Sequence, residues 1–367
     1  MIVLMISTDR NIFDKDSGVR NRMIEYGGLI DELNIIVFSR GEKLGKQTFG
    51  NVSVYPTNSK SRWFYVFDAI KTGKKIKKPD LITSQDAFEC GLAGWRLSKY
   101  FNTKLQLQIH SDFLSPYFRK ESLLNQARVF IAEFLISRAC CARAVSRRIK
   151  ESLKLKFKNE NLRIETIPVF VDVQKIKDAE IRIDIRKKYP QFDFVILMAS
   201  RFSREKNIGL AIDTMAEVVK KHPKTGLVIV GRGPEENNLK SKIKSLNLAD
   251  SVVLEPWSDD LVSYYKTADL FLLTSNYEGY GMSVLEAMSS GCPVLMTDVG
   301  LAGEVLINGE NGVVISPGDK KALVSAVDNL ISDRSVLENF KRSFIATDFK
   351  SKKDYLSAYK KSWENCQ

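Results

Sequence analysis

The chain has 367 residues, 44% hydrophobic and 27% charged, with a formal net charge of +12. That length exceeds one ordinary core and suits two domains, and no run of about 18 uncharged apolar residues offers a membrane-spanning helix. The positive excess favours an anionic partner (a nucleotide, a phospholipid surface or nucleic acid) without choosing among them.

Met1 to Ser7 is apolar, but no basic stretch precedes it and Asp9 and Arg10 follow at once. It reads as a first buried strand and not as a signal peptide. Further strand candidates are Asn34–Phe38, Val52–Tyr55, Asp80–Thr83, Leu105–His110, Ala142–Ser146 and Ile164–Pro168. Helical patterns over Val19–Glu32, Arg62–Lys77 and Ser122–Ala139 lie between them. This alternation predicts a parallel sheet with crossover helices.

The second half repeats the plan. Strands are expected at Phe194–Ser200, Gly226–Gly231, Val252–Glu255, Leu270–Ser275, Pro293–Thr297 and Gly312–Ile315. Helices fit Asn207–Lys221, Glu235–Leu246, Asp260–Thr267, Ser283–Ser289 and Lys320–Ile331. The charged stretch Val173–Tyr189 has no apolar run of strand length and marks the connection. The expected domains are residues 1–172 and 173–348, with a last helix in 349–367 packing back on the first. Two such sheets imply a ligand crevice beside the carboxyl ends of their strands.

The stretch from Thr274 to Met288 is the most informative. A strand ends in a turn with Gly279 and Gly281 and opens a helix, where free amides suit an anion. Glu278 and Glu286 are poor partners for phosphate and good acceptors for sugar hydroxyls. Arg201 and Lys206 follow the first strand of the second domain, with Asn207 as N-cap. A guanidinium fork and an ammonium there suit a diphosphate, and a solvated basic loop fits equally. Gly231 ends the next strand and would let a nucleobase approach, or serve a turn needing positive φ. Trp257 closes the strand after it and extends this base region. His110 ends a first-domain strand, as a proton carrier or as a structural histidine.

Other features exclude or leave options open. Neither G-x-G-x-x-G nor G-x-x-x-x-G-K-[ST] occurs, which disfavours a dinucleotide-dependent dehydrogenase. Asp14-Lys15-Asp16 could hold a cation but reads as a solvated or substrate-facing loop. The five cysteines (Cys90, Cys140, Cys141, Cys292 and Cys366) show no C-x-x-C pair and no metal spacing with the two histidines. Free thiols in a reducing cytoplasm are expected. One basic-aromatic tract runs from Ser59 to Lys78, and a basic one from Arg143 to Lys158. Their aromatics read as core and their lysines as wet faces, with an anionic membrane surface as the alternative. No nucleic-acid module is recognised, so nucleic acid ranks lower as a partner.

Taken together, Ser200–Asn207, Val230–Pro234, Glu278–Met288, Gly291–Val294 and Asn308–Gly312 resemble the retaining glycosyltransferases of family 4. The resemblance implies a GT-B fold, two Rossmann-like domains facing a cleft. It implies transfer of a sugar from a UDP- or GDP-linked donor to a glycan or lipid-linked acceptor in cell-surface polysaccharide or glycoconjugate synthesis. Arg201, Lys206 and Gly18 would bind the diphosphate, and the amides of Gly281, Met282 and Ser283 the sugar and phosphate. Glu286 would bind the ribose, Glu278 would lie near the donor sugar, and His110 near the reacting centre. Ser17-Gly18 carries one glycine where the family commonly has two, and Val169-Phe170 replace the start of its asparagine-glycine-valine-aspartate connection. The implied enzyme needs no metal or other cofactor; a cytoplasmic place is expected, with a peripheral position on the inner face of the membrane as the alternative that rests on the basic-aromatic tracts. Rivals are a nucleotide-sugar hydrolase, epimerase or sugar phosphorylase and, outside enzymes, a nucleotide-sugar- or nucleic-acid-binding protein.

Overall fold

The computed structural model describes residues 1–41, 43–158, 162–343 and 351–366. It divides into two compact units, Met1–Pro168 with Phe349–Gln367, and Val169–Asp348.

The first unit runs β1 (Ile2–Ser7), α1 (Gly18–Gly27), β2 (Glu32–Val37), β3 (Gln47–Phe49), β4 (Val52–Pro56), α2 (Tyr65–Gly73), β5 (Leu81–Ser84), α3 (Glu89–Phe101), β6 (Lys104–Ile109), α4 (Pro116–Glu121), α5 (Leu123–Ile136), β7 (Cys141–Ala144), α6 (Arg147–Lys156) and β8 (Arg163–Thr166). Its sheet has the order β3-β4-β2-β1-β5-β6-β7-β8, parallel except for β3. The apolar run of β1 is buried along almost its whole length, and the strand is paired on both edges. The short edge strand β3 has no apolar run and left no sequence signal.

The second unit runs α7 (Val173–Asp178), α8 (Ile185–Lys188), β9 (Phe194–Ala199), α9 (Ile208–Lys221), β10 (Thr225–Val230), α10 (Glu236–Ser245), β11 (Val252–Glu255), α11 (Leu261–Thr267), β12 (Leu270–Leu273), α12 (Met282–Ser289), β13 (Val294–Thr297), β14 (Val313–Ile315), α13 (Lys320–Ser332) and α14 (Arg334–Arg342). Its parallel sheet has the order β11-β10-β9-β12-β13-β14. Alternate residues of each strand feed two apolar clusters. Met198, Ile229 and Leu272 join one, and Leu197, Val230 and Phe271 the other. The stretch Val173–Tyr189, expected as a connection, instead packs in this unit. Ile185 is fully buried and Arg186 pairs with Asp269 at 2.5 Å. The boundary lies between Pro168 and Val169.

The last helix, α15 (Lys352–Glu364), belongs to the first unit. Tyr359 stacks on Tyr26 with ring centroids 4.1 Å apart, and Trp363 meets Tyr359 edge-on at 5.0 Å. The hydroxyls of Tyr26 and Tyr355 lie 2.6 Å apart. Gln106 donates from the sheet to the Ser362 carbonyl at 3.0 Å. Cys141 and Cys366 form a disulfide, Cα atoms 5.9 Å apart, where free thiols were expected. A separation of 225 residues hides that pairing from the sequence.

Both basic tracts also differ from expectation. Trp63, Phe64 and Phe67 point outward, Trp63 at 84% exposure. The buried positions of α2 are Ala69 and Gly73, and a Cβ on Gly73 would sit 2.5 Å from Leu97 of α3. A ring cannot enter so close a contact, so the aromatics take the outer face. In the second tract Arg143 is buried under Tyr359 (4.5 Å to the ring) and donates to the Ile167 carbonyl at 3.0 Å.

Because Trp363 is fully buried, Trp363→Ala is expected to cost about 3–5 kcal/mol. Urea unfolding should show this loss. An unchanged midpoint would mean that α15 contributes nothing to the first unit.

Candidate active site

The strand order of the second unit reverses at β9, which has β10 on one side and β12 on the other. Chain leaving the carboxyl ends of β9 and β12 therefore meets at a switch point, where such sheets bind ligands. The loop after β9 carries Arg201 and Lys206, and the loop after β12 carries Glu278.

Hydrogen bonds hold the two loops together. The Thr274 hydroxyl reaches the Lys206 carbonyl at 2.9 Å, and the Asn276 amide donates to the Glu205 carbonyl at 2.7 Å. Asn207 adopts a left-handed conformation and makes no side-chain cap to α9, contrary to expectation. Its amide group donates instead to Asn276 Oδ1 at 3.1 Å.

On this frame Lys206 Nζ and Glu278 Oε1 pair at 2.5 Å, with side chains only 19% and 12% exposed. Ser275 Oγ donates to the same carboxylate oxygen at 2.7 Å. Arg201 is 71% exposed and bonds Glu205 at 3.0 Å. Burial raises the Glu205 pKa, but bonds from Ser203, its own amide and Arg201 outweigh this and leave it below the ordinary value.

Gly281 precedes α12 with φ of 96°, which a side chain would strain, and supplies no side-chain cap to the first amides. Met282 and Ser283 form the first turn, with Met282 exposed. Glu286 lies one turn further on. Burial raises its pKa, against one opposing hydrogen bond from Tyr265 at 3.3 Å. Gly231 follows β10, but its need for glycine is packing: a Cβ would sit 2.0 Å from the Ser200 carbonyl. Trp257 is about half exposed beyond β11, the next strand. Gly300, which the sequence reading passed over, has φ of 52°, and its absent Cβ would meet the Tyr280 carbonyl at 2.3 Å. A positive-φ glycine after β13 leaves no mark in hydrophobic patterning.

His110 and Gly18 belong to the first unit. His110 follows β6 and its Nε2 lies 3.1 Å from Gln108 Oε1. Gln108 also accepts from Arg143 and Tyr359, so Nε2–H donates and Nδ1 is left as acceptor. Desolvation, then the charges of Arg143 and Arg22, lowers the His110 pKa, keeping the ring neutral at pH 7. The residue is exposed, which moderates the desolvation and leaves the sign unchanged. Gly18 is the first residue of α1, capped by Ser17, with open space where a Cβ would stand. Asp14 accepts from the Asp16 amide at 3.1 Å in the turn before it.

The model for Glycosyltransferase Family 4 matches residues 31–175, and that for Glycosyl transferases group 1 matches residues 181–345. The chain belongs to glycosyltransferase family 4. This family 4 chain is 33% identical over 141 residues to the lipopolysaccharide core biosynthesis mannosyltransferase LpsB of Rhizobium meliloti, covering 36% of the chain and 40% of that protein. It is 28% identical over 230 residues to the alpha-monoglucosyldiacylglycerol synthase of Streptococcus pneumoniae, covering 59% and 51%. The chain thus spans about half or less of these relatives. The structure of Anabaena HepE in complex with UDP and glucose superposes with a TM-score of 0.73 at 20% identity, covering 99% of this chain and 95% of that one. That likeness shows a GT-B fold.

The Glu286 environment has a consequence for stability. A carboxyl whose folded pKa is raised favours the fold below its unfolded pKa, and that contribution is lost as pH rises through the folded value. At pH 7 the raised pKa therefore costs the free protein stability. Glu286→Gln is expected to raise the melting temperature at pH 7, with the difference closing toward about pH 4. Melting curves across that range test the sign, and a lowered midpoint at pH 7 would contradict it.

Proposed function

We propose that this chain transfers a sugar, with retention, from a UDP- or GDP-sugar to a hydroxyl of a glycan or lipid-linked acceptor in polysaccharide or glycolipid synthesis. The observation that carries this reading is the Lys206–Glu278 pair joining the loops after β9 and β12 at the switch point, with Arg201 on the first loop and the second loop leading into the amide end of α12. Breaking the sugar–phosphate bond leaves charge on a diphosphate. Arg201, Lys206 and the amides of Gly281, Met282 and Ser283 stabilise that charge as it forms, without a metal ion in the role. Glu286 accepts from the ribose hydroxyls, and Glu278 orients the donor sugar. Gly231 and Trp257 border the base. His110, neutral at pH 7, bonds a substrate hydroxyl, and Gly18 adds a phosphate contact. The names of the relatives support the acceptor class, and the UDP bound by HepE supports a uridine donor.

Arg201→Ala and Glu286→Ala should each weaken UDP or GDP binding about tenfold or more, the worth of a hydrogen bond to a charged group. Calorimetry reads this directly. Wild-type affinity in both variants would sink the site assignment.

The reading extends to a membrane surface. Trp63, Phe64 and Phe67 stand exposed beside Lys71, Lys74 and Lys75, with Lys74 4.9 Å over the ring of Tyr100. Rings beside ammonium groups suit the headgroup layer of an anionic bilayer. No helix among the described residues is long and apolar enough to cross a membrane. Phosphatidylglycerol vesicles should bind the chain at low salt and release it at high salt. Trp63→Ala with Phe67→Ala should weaken that binding about tenfold or more. Equal binding to neutral vesicles would refute the electrostatic part, and an unaffected double variant the aromatic part.

A further inference from the structure

Cys140, Cys141 and Cys366 have no place in sugar transfer. Their sulfurs lie within 4.8 Å of one another, the one such group of His, Cys, Asp or Glu among the described residues. Cys140 and Cys141 are neighbours at the entry to β7, and Cys366 follows α15. Cys140 Sγ is 2.9 Å from Cys366 Sγ and 3.7 Å from Cys141 Sγ. Its thiol is oriented by the Leu105 carbonyl, 3.1 Å away. Cys141 and Cys366 are buried, whereas solvent reaches Cys140.

The segment bearing Cys366 is held by more than its sulfur. Asn365 Nδ2 donates to Glu165 at 3.0 Å, Arg163 reaches the Asn365 carbonyl at 3.5 Å, and Gln106 holds the Ser362 carbonyl. Opening the disulfide therefore leaves three thiols converging. Thiolates bind a soft d10 cation at about 2.3 Å, which places tetrahedral ligand sulfurs about 3.8 Å apart. Sulfurs already this close reach that spacing by small side-chain rotations once the bonded pair separates to van der Waals contact. Three thiolates around a divalent ion carry one net negative charge, and the Lys104 cation acts on Cys140, while Arg163 is paired with Glu165 at 3.1 Å.

We propose that Cys140, Cys141 and Cys366, when reduced, form a three-thiolate site for a Zn2+-class cation that fastens the C-terminal helix to the sheet of the first unit. A dithiol reductant supplies two electrons and two protons to open the Cys141–Cys366 bond and becomes a disulfide itself. The cation then displaces the three thiol protons, and water takes the open position on the Cys140 side. Disulfide and metal are alternative fastenings of the same helix.

The test uses the full chain, reduced, freed of excess reductant and kept anaerobic. Titration with Cd2+ should give a thiolate-to-metal charge-transfer band saturating at one cation per chain, and Zn2+ should abolish the band by competition. Zn2+ should also raise the melting temperature of the reduced chain. Cys140→Ser keeps the disulfide pair, so its fold survives, and it should lose the band. Absence of the band in the reduced wild-type chain, its persistence in Cys140→Ser, or saturation unaltered by oxidation to the disulfide would each overturn the proposal.

Discussion

The largely buried pair of Lys206 and Glu278 ties together the two loops that meet at the second unit's switch point. Each member comes from a different loop, and the loops meet only because the strand order reverses between β9 and β12. At such low exposure, removing either charge leaves the other poorly solvated and unpaired, which costs more than an exposed pair would. In the free protein the Lys206 ammonium is thus neutralised by the Glu278 carboxylate. In the proposed function, a diphosphate would draw Lys206 toward itself and free Glu278 to accept hydroxyls. One ion pair thereby links packing in the empty state to the division of labour in the occupied one.

Most of this frame was legible in the sequence for a physical reason. Parallel strands covered on both faces must be apolar throughout, so β1, β9 and β10 stand out as short apolar runs. Helix α3 did not stand out because Gly91 and Gly94 occupy its interior, residues that individually weaken a helix. The fold needs them: a Cβ on Gly91 would meet Leu135 at 2.8 Å and one on Gly94 would meet Leu105 at 3.1 Å. Close tertiary approach overrides local propensity there, and only the assembled unit reveals the reason. Gly231 teaches the same lesson, since its missing side chain makes room for Ser200 and Phe202.

Charge was harder to read than hydrophobicity. Arg143 looked like one cation in a basic tract, yet the polypeptide folds α15 across it, and its guanidinium ends among carbonyls and tyrosines. Trp63 and Phe67 looked like core residues, yet α2 approaches α3 through alanine and glycine. A count of lysines and rings cannot distinguish these fates. They depend on which neighbouring element arrives and how closely.

Two carboxylates of the second unit show how a satisfied group differs from one awaiting a partner. Glu255 is buried, which raises its pKa, but Lys188, Tyr189 and Tyr264 donate to it at 2.7, 2.5 and 2.6 Å and bring the net shift below the ordinary value. Its needs are met within the protein, and its role is to bind α8 and α11 to the end of β11. Glu286 is penalised by burial too, yet among the described residues it receives a hydrogen bond of 3.3 Å from Tyr265 that does not offset this, and its pKa stays raised. A carboxylate kept partly desolvated with unused acceptor capacity gains most when hydroxyl donors arrive, because they replace the water that folding removed. The deficit that costs the empty protein stability is therefore the feature that, in the proposed function, suits Glu286 rather than Glu255 to hold a ribose.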